Sequence, residues 1–190
     1  MHHQADTGIL SIPERKLSIQ AAGVFICIMC TALGAQLEIP TQPVPFTLQT
    51  FFVLLSGALL GKRGGAVSMG LYVLMGALGL PVFSGGAGSI VILAGPTGGY
   101  LLAFPLAAWV IGYLISFRHE YWWILVSMSI GSLVIFSFGT IQLNLVLVHD
   151  WMNALRAGFF IFSWWDGLKI IASTAIAYSY FRRIHHRVDA

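Results

Sequence analysis

Three observations predict an all-α membrane protein of six transmembrane helices, with both termini cytoplasmic and outward re-entrant or capping loops. Of 190 residues, 57% are hydrophobic and only 9% charged, against roughly 25% charged in soluble domains, and the mean hydropathy is +0.83. Apolar stretches of spanning length recur along the chain. The Lys and Arg residues are distributed very unequally between alternate connections. Ten basic and seven acidic residues cannot clothe a water-facing surface, which excludes a soluble enzyme, a disordered chain and a basic nucleic-acid-binding domain. The expected surroundings are a lipid bilayer, with no nucleic acid.

Charged or Gly/Pro-rich points divide the chain into candidate spans at 17–37, 49–61, 64–83, 97–117, 121–148 and 158–181. Six spans return both termini to one side. On that side fall Arg15, Lys16, Lys62, Arg63, Arg118, Arg182, Arg183 and Arg187, while Arg156 lies opposite and Lys169 lies inside the last span. Because basic residues are retained in the cytoplasm, both termini are expected there. The division is a cytoplasmic tail at 1–16, one transmembrane substrate-binding domain at 17–183 and a second tail at 184–190.

The first span follows Arg15-Lys16, as the apolar region of a signal peptide would. Its length, and Leu33 where a cleavage site needs a small residue, favour a retained helix. Cys27 and Cys30 form a C-x-x-C, but inside the apolar run Ala21–Ala35 they read as inert thiols rather than a redox or metal pair. Gly23, Cys27, Thr31 and Ala35 make a stripe of small residues at i+4 spacing. Such a stripe permits close helix approach, either within the protein or as a docking face for another membrane protein. The second and third spans meet at Gly61-Lys62-Arg63-Gly64. Gly57-x-x-x-Gly61-Lys62-Arg63 is one residue short of a phosphate loop and has Arg where magnesium needs Ser or Thr, so it reads as a basic turn.

Two outward connections are unlike ordinary loops. Thr41-Gln42-Pro43-Val44-Pro45-Phe46-Thr47 is uncharged and held extended by its prolines, which suits a lid over a cavity. Between Pro81 and Gly99, glycines 85, 86, 88, 95, 98 and 99 flank the apolar Ser89–Ala94. Irregular backbone at membrane depth is tolerated where it is buried or lines a cavity, and its bare amides can then meet a ligand.

Asp166 and Lys169 are an opposite-charge pair well inside a candidate span. Each alone costs about 2.5–3.5 kcal/mol on insertion scales, and at i, i+3 they share one helical face. One reading is a helix-locking ion pair, with Trp164 and Trp165 as interfacial anchors. The other is a recognition site, because a carboxylate accepting N–H and an ammonium donating to oxygen complement a cyclic urea or amide. Gln36, Gln49 and Asn144 are further polar candidates, each equally able to bond between helices. The candidate substrate-binding set is Asp166, Lys169, Gln49, Pro45, Thr47, Ser84, Gly85, Gly86, Thr97, Gly98, Gly99, Tyr100 and Asn144. The candidate docking set is Gly23, Cys27, Thr31 and Ala35. No metal site and no catalytic residue is expected: G-x-S-x-G and H-E-x-x-H are absent, and the six histidines fall in termini or connections.

Three blocks carry a family resemblance: Pro43-Val44-Pro45-Phe46-Thr47-Leu48-Gln49-Thr50, Gly76-Ala77-Leu78-Gly79-Leu80-Pro81-Val82-Phe83 and Gly95-Pro96-Thr97-Gly98-Gly99-Tyr100-Leu101. From about residue 20 to 180 the chain resembles the BioY family, the biotin-specific S components of energy-coupling factor (ECF) transporters. The resemblance implies a multi-pass protein of a prokaryotic cell membrane that captures biotin from outside and works with a transmembrane T component and two cytoplasmic ATPases. It implies no cofactor, biotin being the transported ligand. The family's Asp, followed three residues later by Lys, is met by Asp166 and Lys169, and the small-residue stripe resembles the surface by which S components dock. One departure stands out: the family's Pro-Phe-x-Pro-Gly before the Asp is replaced by Ile161-Phe162-Ser163-Trp164-Trp165. The alternatives are an S component for another small vitamin, distinguishable by ligand competition, and a non-transporting membrane scaffold.

Overall fold

The computed structural model describes residues 12–160 and 163–188. It is built of helices: α1 (Ile12–Gln36), α2 (Gln49–Ala77), the short α3 (Ile90–Ala94), α4 (Gly98–Ile115), α5 (Tyr121–Leu143), α6 (Trp151–Gly158) and α7 (Ser163–Val188). A two-stranded ribbon joins α1 to α2. In it β1 (Glu38–Ile39) pairs antiparallel with β2 (Phe46–Thr47), Glu38 opposite Thr47 and Ile39 opposite Phe46. The loop between them contains a cis Gln42–Pro43 peptide bond.

Helix α2 is a hairpin. Gly61 has φ 71°, in the left-handed region that glycine enters at no steric cost. Residues eight apart in a continuous helix stand about 12 Å apart at 1.5 Å per residue. A Cβ placed on Gly65 would nevertheless lie 2.8 Å from the Gly57 Cα, so arm 62–77 folds back along arm 49–60. The bend packs on α4: a Cβ on Gly112 would come within 2.3 Å of the Lys62 backbone nitrogen. The basic turn read from the sequence is this bend.

The third candidate span ends early. Helix stops at Ala77, and 78–83 is irregular, with Gly79 at φ 98° and Pro81 beyond it. Phe83 then turns its ring onto Gly76, leaving no room for a Cβ there. The last candidate span, 158–181, starts late as a helix, and the connection before it carries a short helix of its own. Asp150 caps the amphipathic α6 by accepting from the Met152 and Asn153 amides at 2.9 and 3.4 Å, and α7 begins afresh at Ser163. Residues 12–16 of the expected N-terminal tail are already helical, and α7 continues to Val188. The rest of that tail, the end of the C-terminal tail, and Ile161 and Phe162 lie outside the described residues.

Among the described residues, three segments are long and apolar enough to cross a membrane by length and composition: Ser18–Gln36, Gly98–Ile115 and Tyr121–Val148. The last includes a π-helical turn, Asn144–Val148, that extends α5. Each arm of α2 is shorter than the roughly 20 residues of a regular span, and α7 carries the buried charges.

The α1 stripe expected as a docking face packs largely inside the protein. Thr31 and Ala35 are both 0% exposed. The Thr31 hydroxyl donates to the Cys27 carbonyl at 2.8 Å and lies 3.9 Å from the Met69 sulfur, and a Cβ on Gly23 would meet Leu60 at 2.8 Å. The stripe is the internal seam between α1 and α2, whose helices approach where α1 is small. The face that α1 leaves open carries Phe25, Ile26, Met29 and Leu33 instead. Cys27 and Cys30 are both free thiols.

The fold gathers the basic connections at one end. Lys62 Nζ lies 5.4 Å from the Tyr113 ring centre near the end of α4, Arg118 stands 5.7 Å from the Trp123 ring, and His119 lies 4.4 Å from the Phe181 ring, next to Arg182. The proline loop, the glycine-rich segment and the Asp166–Lys169 pair gather at the other end, around a cavity.

Candidate functional site

The cavity has a volume of about 270 Å³, near the lower end of ordinary small-molecule sites, roughly 300–1,000 Å³. Its apolar wall comes from distant segments. Phe83 follows α2, Tyr100, Leu101 and Phe104 project from α4, and Phe136 projects from α5. Tyr72 sets part of this wall. It is fully buried, donates to the Val82 carbonyl at 2.8 Å, and meets Phe83 edge-on at 5.7 Å and Phe104 in a stack at 6.3 Å. Tyr100 meets Phe136 edge-on at 6.2 Å and donates to the Gly158 carbonyl at 2.8 Å. Both tyrosines use their hydroxyls within the protein, and Phe83, Tyr100, Phe104 and Phe136 turn aromatic surface to the cavity, as an apolar ligand body requires.

The polar end is built where α7 meets the start of α2. Asp166 and Lys169 are 3% and 9% exposed and form an ion pair of 3.1 Å. Lys169 Nζ also donates to the Thr47 carbonyl at 2.7 Å and to the Thr50 hydroxyl at 3.0 Å. Thr50 donates its own proton to Asp166 Oδ1 at 3.0 Å. Asp166 Oδ2 is buried without a hydrogen-bond partner, and a buried ionised oxygen left unmatched is costly. The carboxylate also lies at the N-terminal end of α2, whose dipole favours negative charge.

Of the candidate substrate-binding residues, the cavity brings together Pro45, Thr47, Gln49, Ser84, Thr97, Tyr100, Asp166 and Lys169. Five others stand away from its wall. Gly85 and Gly86 are exposed and face the end of α1, where a Cβ would lie 3.6 Å from Glu38 Oε1 and 3.9 Å from Gln36 Oε1, respectively. Gly98 and Gly99 are buried packing positions, one against the Leu93 carbonyl and Gln142, the other against the Phe138 carbonyl. Asn144 is buried at the start of the π turn with its Oδ1 unpartnered, and does not line the cavity. Gln36 donates to the Phe83 carbonyl at 3.0 Å and so works between segments. No group of three His, Cys, Asp or Glu is placed to hold a metal among the described residues.

Sequence reasoning missed several contributors. Thr50 ends the first quoted block, yet nothing in one-dimensional spacing connects it to residue 166. Gln142 gives its amide to the Leu93 and Gly95 carbonyls at 2.7 and 2.8 Å, holding the end of α3 where the cavity-lining Ile92 sits. Glu38 accepts a hydrogen bond from the Ser84 hydroxyl, fastening the ribbon to the glycine-rich segment. Phe83 ends the second quoted block, while Phe104 and Phe136 carry no sequence signal beyond being aromatic.

Comparison with known proteins gives a consistent result. The family model described as "BioY family" matches residues 8–186. The chain is 44% identical over 156 residues to the biotin transporter BioY of Thermotoga maritima, covering 82% of this chain and 90% of that one. It is 35% identical over 156 residues to the biotin transporter BioY2 of Lactococcus lactis subsp. cremoris, covering 82% and 86%. Among solved structures, that of the S component for biotin from an ECF-type ABC transporter matches with a TM-score of 0.80 at 25% identity, covering 92% of this chain and 95% of that chain.

Proposed function

This chain belongs to the BioY family, and on that premise we propose that its cavity holds biotin with the ureido ring at Asp166 and the hydrocarbon and thioether body against the aromatic wall. The family is a transporter component and not an enzyme; biotin is its transported substrate. The observation that carries the site assignment is Asp166 Oδ2, a buried acceptor without a partner in a cavity-lining residue beside a fixed cation. A ureido N–H supplies the missing donor. Pro45 and Thr47 line the cavity, which supports Thr41–Thr47 as its lid.

The gathering of basic connections at one end supports six spans, with that end and both termini in the cytoplasm of a prokaryotic cell. On this reading α2 supplies two spans from its two arms, the cavity opens outward, and the substrate-binding domain covers 17–183. A transmembrane T component and two ATPases supply the energy. Titration calorimetry of the detergent-purified chain with biotin tests the site. One-to-one binding in the wild type, lost when Asp166 and Lys169 are both neutralised, is expected. Undiminished binding in the neutralised protein would move the site elsewhere.

A further inference from the structure

The polar cluster at the cavity contains three side chains, and its donors and acceptors can be counted. An ammonium has three protons and no lone pair, an ionised carboxylate has lone pairs and no proton, and a hydroxyl has one proton. All three Lys169 protons are used, by the Thr47 carbonyl, the Thr50 hydroxyl and Asp166 Oδ1. Thr50 therefore accepts from Lys169, and its single proton goes to Asp166 Oδ1. Oδ1 receives two donors and Oδ2 none. The two oxygens of one carboxylate are thus made unequal, and the hydroxyl responsible comes from the first turn of α2, 116 residues away in the chain.

We propose that Thr50 is a positioning residue that keeps Asp166 Oδ1 occupied and so reserves Oδ2 for an N–H of the bound ligand. The inference rests on the reading above, that the cavity takes the ureido ring of biotin. Without the hydroxyl, Lys169 has a proton with no acceptor and Asp166 Oδ1 has lost a donor. The carboxylate then turns about its terminal torsion, which is broad and roughly two-fold, and offers both oxygens to the ammonium. The ion pair closes on itself and the acceptor meant for the ligand is consumed. Thr50 accordingly sets selectivity for ligands that present an N–H, over ligands of the same shape that lack one.

The experiment is titration calorimetry of the full, detergent-purified chain with two probes, biotin and biotin methylated at both ureido nitrogens. The wild type is expected to prefer biotin by at least about ten-fold, the usual minimum for a hydrogen bond to a charged group. Thr50→Ser keeps the hydroxyl and should retain both affinity and preference. Thr50→Val is nearly isosteric and should weaken biotin binding by roughly 10- to 100-fold while the preference falls toward unity. A merely structural role for Thr50 would weaken both probes equally. A Thr50→Val protein that binds biotin with the wild-type preference overturns the assignment. If that variant does not fold, Thr50→Cys, with its weaker donor, must show a reduced preference, and a wild-type preference in it overturns the assignment equally. Wild-type protein that does not bind biotin overturns the reading of the cavity and this inference with it.

Discussion

Lys169 on α7 donates to the main-chain carbonyl of Thr47 at 2.7 Å, joining the last helix to the end of the proline-rich loop across 122 residues of sequence. One side chain thus ties the polar end of the cavity to the segment above it. The Thr47 hydroxyl meanwhile accepts from the Gln49 amide at 3.3 Å, so the residue that receives Lys169 also helps to start α2. The polar end of the cavity and the end of the proline-rich loop are therefore joined by short, specific contacts.

From this linkage, ligand binding should order the loop. Hydrogen exchange at the Val44, Phe46 and Thr47 amides is expected to slow when biotin is added to purified protein, because closing adds contacts to a chain already limited by its prolines. Unchanged exchange across 41–50 in a sample with proven binding would reject the lid.

Neutralising the ion pair in steps should separate stability from recognition. Asp166→Asn alone leaves Lys169 as a buried cation without a counter-charge, at a cost of about 3–5 kcal/mol, and should lower the unfolding temperature in detergent markedly. Adding Lys169→Met should recover most of that loss, while biotin binding stays at least about 100-fold weakened through loss of charge-assisted hydrogen bonds. Thermal melts and calorimetry on the same two preparations read the two effects.

The α1 seam makes opposite predictions for its two faces. Ala35→Leu inserts three carbons at a fully buried position and should destabilise by about 1–3 kcal/mol. Leu33→Ala on the open face should leave the melting temperature nearly unchanged. If Ala35→Leu keeps wild-type stability and biotin binding but no longer co-purifies with a T component, the stripe is a docking face after all.

Topology is open to a direct chemical test. In a background without Cys27 and Cys30, a cysteine replacing Arg63 should resist an impermeant reagent added to intact cells. One replacing the exposed Ile90 should be labelled. Labelling at 63 and protection at 90 would invert the assignment of sides.

Composition and residue order by themselves determined the membrane character, the bend at Gly61-Lys62-Arg63, the shared face of Asp166 and Lys169, and the two unusual loops. Each follows from local physics: too few charges to hydrate a surface, two basic residues between glycines at a break in the apolar runs, an i, i+3 spacing, and prolines or glycines that bar regular helix. The tertiary structure alone decided which way the Gly23–Ala35 stripe faces, since periodicity defines a face of a helix but not its neighbour. It alone separated Thr97 and Tyr100, which line the cavity, from Gly98 and Gly99, which pack on α3 and α5, although the four are consecutive. The same holds for Thr50, whose hydroxyl reaches Asp166 only because the start of α2 and the start of α7 meet. A hydrogen bond between residues 116 positions apart leaves no periodic trace in a single sequence, and its existence depends on how the helices pack.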